Sequence, residues 1–232
     1  MNAQVDLNGT LATTNSNNLD LWREVFITDP AAVKPITGKS YKGSSPKPYW
    51  IVEQATKHFG PCGIGWGVEV LSESYINCGP KDVIHSAVVK VWYVWNGVRG
   101  EVQQVGGTKV AYETATGKYM VDEDAAKKSV TDGMIKCLSM IGFAGDIFSG
   151  RWDDSKYVAE AAEHHQQQRQ AEAAQHQQKQ LEAEFNIALR DIENAQDKSV
   201  FLPAWNYFKS TPYADEIKQS IEAKRDQMGW TS

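Results

Sequence analysis

The stretch that decides the fold is Asp124–Gly150, DAAKKSVTDGMIKCLSMIGFAGDIFSG. Apolar residues recur in it at spacings of three and four, which predicts one buried helical face made of Ala126, Val130, Met134, Cys137, Leu138 and Ile141. The intervening face carries Lys127, Lys128 and Lys136. A helix with one apolar and one basic face can pack on a sheet while it presents cations to a polyanion.

The residues upstream predict the sheet on which that helix packs. Strands are expected at Gly67–Asn77, Val83–Trp95, Val98 to about Gln104, Lys109–Thr114 and Tyr119–Val121, with Asn96-Gly97 as a two-residue hairpin turn. A helix at Tyr49–Phe59 precedes the strands. The predicted fold class is therefore α+β: an antiparallel β-meander packed with helices, a β-β-β-α core, followed by a helical spacer and a small all-α C-terminal module.

The chain divides into four predicted segments. Residues 1–19 are expected to be disordered and 20–157 to form the core, with a short helix at Asp20–Phe26 and a loop from Asp29 to Pro48. Residues 158–180 are a Gln/Ala-rich helical spacer, and 181–232 a three-helix module of a size suited to partner docking.

Charge is distributed unevenly along the 232 residues. The net charge is −5, yet residues 30–157 hold fifteen Lys and Arg against thirteen Asp and Glu, a balance of +2, while both flanking regions are acidic. The loop before Tyr49 has no acid between Asp29 and Glu53 and contains four lysines, Lys34, Lys39, Lys42 and Lys47. Only the middle region is therefore expected to lie against phosphates.

Several site chemistries fit the sequence poorly. Gly38-Lys39-Ser40 lacks the glycine and the preceding strand of a phosphate-binding loop. The three cysteines are isolated, so we expect them to be reduced. A metal nuclease stays an alternative, built on acids near the helix starts: Asp122, Glu123, Asp124, Asp146, Asp153 and Asp154.

Aromatic side chains alternate on the predicted strand Val83–Trp95. Alternation places Trp92 on one face of the sheet and Tyr93 and Trp95 on the other. These three residues either stack on bases or pack in a core or a subunit interface.

Short motifs in a fixed order resemble the single-strand annealing proteins, in particular the phage recombinases of the Erf type and the Rad-fifty-two annealing domain. The resemblance covers about residues 30–157. It rests on the motifs Ala55-x-x-x-Phe59-Gly60, Gly65-Trp66, Val89-Lys90-Val91, Asn96-Gly97, Val105-Gly106-Gly107, Val130-Thr131-Asp132-Gly133 with Leu138 and Gly142, and Asp153-Asp154-Ser155-Lys156-Tyr157.

The resemblance implies a basic groove for single-stranded DNA, formed by the loop before the first helix and by the Val-Thr-Asp-Gly helix. The sequence departs from the eukaryotic relatives at Ile135 and Ser139, where they commonly have basic residues. The resemblance then leaves Lys136 as the main implied contact on the helix. The helix half of the groove is expected to be either weaker or rebuilt from Lys127, Lys128 and Arg151. The full set of candidate DNA-binding residues is Lys34, Lys39, Lys42, Lys47, Lys90, Lys127, Lys128, Lys136 and Arg151.

The function implied is ATP-independent annealing of DNA single strands in phage recombination, with no catalytic residue, no cofactor and no metal. Expected partners are single-stranded DNA and further copies of the chain in a ring or helical filament. The 181–232 module resembles the tails of Red beta and RecT, which implies a phage exonuclease or a host single-strand-binding protein as partner. A host-cytoplasmic protein without a membrane span is expected. A protection protein that binds single strands without annealing them is the other alternative.

Overall fold

The computed structural model describes residues 4–5, 11–12, 18–36, 43–114 and 116–230 of the chain. It contains two compact units, Met1–Glu163 and His164–Ser232. The helices and strands of the first unit are β1 (Gln4–Val5), β2 (Leu11–Ala12), α1 (Asp20–Val25), β3 (Val33–Pro35), β4 (Ser44–Pro46), α2 (Pro48–Phe59), β5 (Trp66–Asn77), β6 (Val83–Trp95), β7 (Val98–Glu113), β8 (Tyr119–Val121), α3 (Ala125–Ser139) and α4 (Gly145–Phe148).

The predicted α+β class is confirmed: the chain is 52% helical and 25% strand, and a curled four-stranded antiparallel sheet packs with helices. The strand order is β5-β6-β7-β8, and α3 packs across β6 and β7 as expected. The hairpin turn is also confirmed, because Asn96 and Gly97 both have positive φ angles, 51° and 77°. The register sets which residues are cross-strand neighbours: Lys90 of β6 lies opposite Glu69 of β5 and opposite Gln103 of β7.

The prediction of two strands between Val98 and Thr114 is wrong, because β7 runs without a break through Gly106 and Gly107. The gap between the two predicted strands, after about Gln104 and before Lys109, contains these glycines. In the structure Gly106 instead lies against α3, where a Cβ would meet the Ser129 carbonyl oxygen at 1.8 Å. Gly106 therefore permits a close helix-to-sheet contact within a continuous strand.

The predicted buried face of α3 is only partly right. Met134, Cys137 and Leu138 are buried, whereas Ala126, Val130 and Ile141 are half-buried. The most deeply packed line also includes the small residues Ala125, Ser129 and Gly133. Periodicity of large apolar residues misses these positions, because close approach to a sheet selects for small side chains.

The loop predicted from Asp29 to Pro48 is ordered in its described part. A single 3-10 turn at Pro30–Ala32 leads into the β3–β4 hairpin, in which Lys34 lies opposite Ser45. The residues between the two strands of this hairpin that follow Ile36 and precede Gly43, 37–42, lie outside the described residues. Residues 1–19 are predicted from the sequence to be disordered. Within them, β1 and β2 form a two-stranded antiparallel pair, and the other residues up to residue 17 lie outside the described residues.

The first unit has one main core between the sheet, α2 and α3. Its fully buried side chains include Ile51, Trp66, Val89, Leu138 and Phe143. The buried carboxylate of Asp146 also lies here, and it accepts hydrogen bonds from the Thr28 amide and hydroxyl and from the Tyr157 hydroxyl. This group fixes α4 to the segment after α1.

The second unit has its own core. Helix α5 (Ser155–Glu193) extends into it and is followed by α6 (Phe201–Phe208) and α7 (Ala214–Met228). Apolar residues recur along α5 from Leu181 at spacings of three and four: Phe185 and Ile192 are buried, and Leu181 and Leu189 pack partly against them. Among the described helices, none is both long and apolar enough to cross a bilayer.

Candidate nucleic-acid interface

The acid-free segment between Asp29 and Glu53 brings basic residues to the β3–β4 hairpin and the start of α2. Lys34 is exposed on β3. Lys47 is exposed just before α2, and its ammonium donates a hydrogen bond to the Ala31 carbonyl oxygen at 2.8 Å. Among the ion pairs of the described residues, neither lysine has a carboxylate partner. Lys39 and Lys42 lie outside the described residues, so their predicted role stays a prediction.

An exposed aromatic residue follows these lysines directly. Pro48 begins α2, and the buried side of that helix is set by Ile51, Ala55 and Phe59. Tyr49 lies on the opposite side and is 88% exposed. Tyr49 is not among the DNA-binding residues predicted from the sequence, although its helical position relative to Ile51 and Ala55 indicates that it lies on the exposed side of α2.

A cavity lies at this point of the surface. It is lined by Lys47, Tyr49 and Trp50, together with Ala31, Ala32, Val52 and the two acids that bound the basic segment, Asp29 and Glu53. The cavity thus combines one cation, an exposed aromatic ring and apolar side chains with two carboxylates at its margin. A cation and an aromatic ring are components with which single-strand-binding surfaces hold backbone and bases.

The lysines at the start of α3 are each paired with an acid. Lys127 lies 3.0 Å from Asp124, and Lys128 lies 2.6 Å from Asp122. The hydrogen bond from Lys128 lowers the pKa of the Asp122 carboxyl and raises the pKa of the ammonium itself. The basic face seen in the sequence is therefore locally neutral in this structure.

Lys136, the main contact that the resemblance implied on the helix, has two partners. Its ammonium lies 2.8 Å from the Asp132 carboxylate and donates to the Val105 carbonyl oxygen at 3.1 Å. Asp132 in turn accepts a hydrogen bond from the Gly107 amide at 3.1 Å. Both side chains of α3 thus satisfy backbone groups along the outer edge of β7.

Lys90 lies on the sheet face opposite the helices. Its ammonium is 2.8 Å from Glu69 on β5 and 3.7 Å from Glu101 on β7. The hydrogen bond to Glu69 raises the pKa of Lys90. An ammonium held between carboxylates on both neighbouring strands ties the sheet together across three strands.

Arg151 packs on aromatic rings. Its guanidinium lies 5.0 Å from the Phe26 ring centroid and 5.7 Å from that of Tyr157. Tyr157 also donates to the buried Asp146 carboxylate at 3.0 Å. Arg151 is therefore part of the cluster that joins the segment after α1 to the start of α5.

The strand aromatics alternate as predicted. Tyr93 stacks on Phe59 with ring centroids 5.0 Å apart, and Trp95 meets the same ring edge-on. Trp92 lies on the opposite face beneath the Arg99 guanidinium, 4.4 Å from it. Tyr93 and Trp95 belong to the core side of the sheet, so neither is presented as a stacking platform.

The acids and cysteines show ordinary local partners. Asp122 and Asp124 pair with lysines, and Asp146 is buried among hydrogen-bond donors. No three His, Cys, Asp or Glu side chains converge in a metal-binding group within the ranges that the structure describes. Cys62, Cys78 and Cys137 are free thiols, as expected.

The structure thus separates the predicted site residues into two groups. Lys47 lies two residues before the exposed Tyr49, and Lys34 is exposed on the adjoining hairpin. The second group consists of lysines bound to carboxylates on the sheet and on α3: Lys90, Lys127, Lys128 and Lys136. Comparison with protein-family models and with curated proteins finds no match to this chain.

Proposed function

We propose that this chain is an ATP-independent single-strand annealing protein that binds single-stranded DNA and pairs complementary strands. The observation that carries the proposal is the start of α2, where the exposed Lys47 lies two residues before Tyr49, whose side chain is 88% exposed. Lys34 is exposed on the adjoining β3–β4 hairpin, and neither lysine has a carboxylate ion-pair partner among the described residues. The α+β core, with α3 across an antiparallel meander, also agrees with the fold that the motif order implies.

The cations supply affinity without sequence preference. Lysines that contact phosphates release condensed counterions, and a lysine already bound to a carboxylate has less to gain from a phosphate. The β3–β4 hairpin is accordingly the main DNA contact in this proposal. Lys39 and Lys42, which the chain carries between β3 and β4, are proposed to add to it. Helix α3 contributes mainly by holding the sheet.

Annealing requires no bond chemistry. Neutralised phosphates lower the repulsion between two strands, and base edges left outward allow a second strand to test pairing. One copy with a few lysines binds weakly. In a homo-oligomer, either a ring or a filament, many copies contact the same strand, and each further contact forms at a high effective concentration. The bases themselves then provide the specificity.

A two-step assay tests the proposal. Fluorescence anisotropy first measures binding to an oligonucleotide at low salt, and quenching of a labelled complementary pair then measures annealing. We expect binding and faster pairing without ATP. A chain that binds but slows pairing is a protection protein, end-labelled strands cut on addition of Mg²⁺ indicate a nuclease, and absence of binding at low salt contradicts both binding functions.

Charge reversal tests the hairpin. Lys39→Glu combined with Lys42→Glu is expected to weaken single-strand binding strongly. The matched control is Lys127→Glu with Lys128→Glu, which reverses two charges on the paired start of α3. Equal affinity of the hairpin variant and the wild type would contradict the placement of DNA on the hairpin.

The same proposal gives the second unit a partner-docking role, with a phage exonuclease or a host single-strand-binding protein as partner. Ile187 and Leu202 are large apolar side chains that remain exposed there, at 55% and 66%. Leu202→Ser is expected to weaken binding to such a purified partner and to leave binding of oligonucleotides unchanged. Titration calorimetry with the purified partner measures the first effect.

A further inference from the structure

The two edges of the main sheet differ. Strand β8 pairs only with Ala111–Glu113, so most of the outer edge of β7 has no neighbouring strand among the described residues. Side chains of α3 occupy that edge instead: Asp132 accepts from the Gly107 amide and Lys136 donates to the Val105 carbonyl, each at 3.1 Å. Backbone groups already bound in this way are not free to pair with an incoming strand.

The edge of β5 is different. A bridge between Cys62 and Trp66 covers only its beginning. From Val70 to Asn77 every residue is exposed, and no described strand lies beyond it. At the end of this edge the Cys78 thiol makes a weak contact with the Ile76 carbonyl oxygen, 3.7 Å away.

The exposed part of β5 is regular and apolar enough to pair. Its one irregularity lies between Val70 and Ser72, and from Ser72 to Asn77 the register with β6 is continuous. Tyr75 is 65% exposed and Ile76 48% exposed. The Tyr75 ring is held in place by the buried His85, with ring centroids 4.9 Å apart.

We propose that β5 pairs antiparallel with β5 of a second copy of this chain, across a two-fold axis at Tyr75. This register sets the two Tyr75 rings opposite each other, Ser74 opposite Ile76 of the second copy, and Glu73 opposite its Asn77. An aromatic pair and a carboxylate facing an amide are favourable cross-strand neighbours. A register centred on Glu73 instead opposes two carboxylates, which is unfavourable.

The consequence is a closed dimer. Two four-stranded sheets become one eight-stranded sheet, and because the contact is isologous it stops at two copies. A ring or filament is then built from dimers through a different surface. This inference goes beyond the proposed function and does not depend on it, since the pairing requires no DNA.

Mass measurement without DNA tests the pairing. Tyr75→Lys places two ammonium groups opposite each other across the axis, so light scattering during gel filtration is expected to show at least a halving of the wild-type mass across a dilution series. Tyr119→Lys on β8 is the matched control and keeps the wild-type mass. A monomeric wild type, or equal masses for wild type and Tyr75→Lys, overturns the proposal.

Crosslinking gives a second readout that does not rely on a destabilised strand. In a background with Cys62→Ser and Cys78→Ser, Tyr75→Cys places two thiols on opposing residues, whose Cβ atoms lie roughly 5 Å apart in such pairs. Mild oxidation is expected to give a covalent dimer with Tyr75→Cys and not with Tyr119→Cys. No covalent dimer with Tyr75→Cys, or equal yields from both variants, overturns the pairing. The outcome is independent of the DNA assays.

Discussion

Gly106 of β7 lies directly against Ser129 of α3. A methyl group at Gly106 would come within 1.8 Å of the Ser129 carbonyl oxygen and 2.5 Å of the Gly133 amide nitrogen. Both obstacles are backbone, so neither can rotate away. The Ser129 hydroxyl also donates to the His85 carbonyl oxygen at 3.1 Å, which fixes the helix at this depth on the sheet.

Gly106→Ala is therefore expected to destabilise the first unit by about 1–3 kcal/mol, because α3 must shift away from β7. Gly107→Ala is the matched control, since its nearest neighbour would be 3.7 Å away, an ordinary contact. Urea unfolding followed by circular dichroism measures both. A loss of the same size for the two variants would contradict the close helix-to-sheet contact.

Lys136 and Lys34 are expected to differ in their effect on DNA. Lys136→Gln removes a cation already bound to Asp132 and to the Val105 carbonyl, so single-strand affinity should fall less than for Lys34→Gln. The exposed ion pair contributes up to about 1 kcal/mol, so the change in unfolding free energy is small. Anisotropy titrations of both variants under one salt condition decide the order of affinities; the reverse order would return the main contact to α3.

Salt dependence separates a direct phosphate contact from an indirect effect. If Lys34 contacts one phosphate, Lys34→Gln should reduce the slope of log affinity against log salt by about 0.7. Lys127→Gln, on the exposed ion pair with Asp124, should leave the slope nearly unchanged. A slope that is the same for wild type and Lys34→Gln removes Lys34 from the interface.

The sequence predicted the strands well where β-branched and aromatic residues alternate between clear turns. Val83–Trp95 has the predicted bounds, and the Asn96-Gly97 turn follows from the ease with which both residues adopt positive φ. The predicted break between Gln104 and Lys109 is wrong, because a glycine that admits a neighbouring helix interrupts the pattern of β-branched and aromatic residues just as the end of a strand does. Only the tertiary contact distinguishes them.

The candidate site was harder to predict for a related reason. Charge counting identified the basic segment and the basic side of α3, but it does not show which cations are already paired. Asp132 lies four residues before Lys136, a helical spacing at which the two side chains meet, so this pair can be read from the sequence. Asp122 precedes α3 and lies six residues before Lys128, so that pairing depends on how the chain enters the helix. Tyr49 was missed because exposure of one aromatic residue depends on which face of α2 is buried.

The hydroxyl of Tyr157 donates a hydrogen bond to the buried carboxylate of Asp146 at 3.0 Å. Tyr157→Phe removes this hydrogen bond and leaves the donors from Thr28 in place. We expect a loss of about 1–3 kcal/mol in unfolding free energy, because the lost bond is to a buried carboxylate. Tyr119→Phe, at an exposed tyrosine, is the control and should leave the stability unchanged.

The same tyrosine should impart a pH dependence. Burial, with the Asp146 charge and hydrogen bond, raises the pKa of the Tyr157 phenol above its ordinary value. Below about pH 10 the phenol is protonated in the folded and the unfolded chain, so its contribution is complete. Above about pH 10 the unfolded chain releases this proton while the folded chain keeps it, so stability falls as pH rises. The stability gap between wild type and Tyr157→Phe, measured by urea unfolding on both sides of that pH, should therefore narrow at high pH; a constant or widening gap would show that the phenol is not held protonated by Asp146.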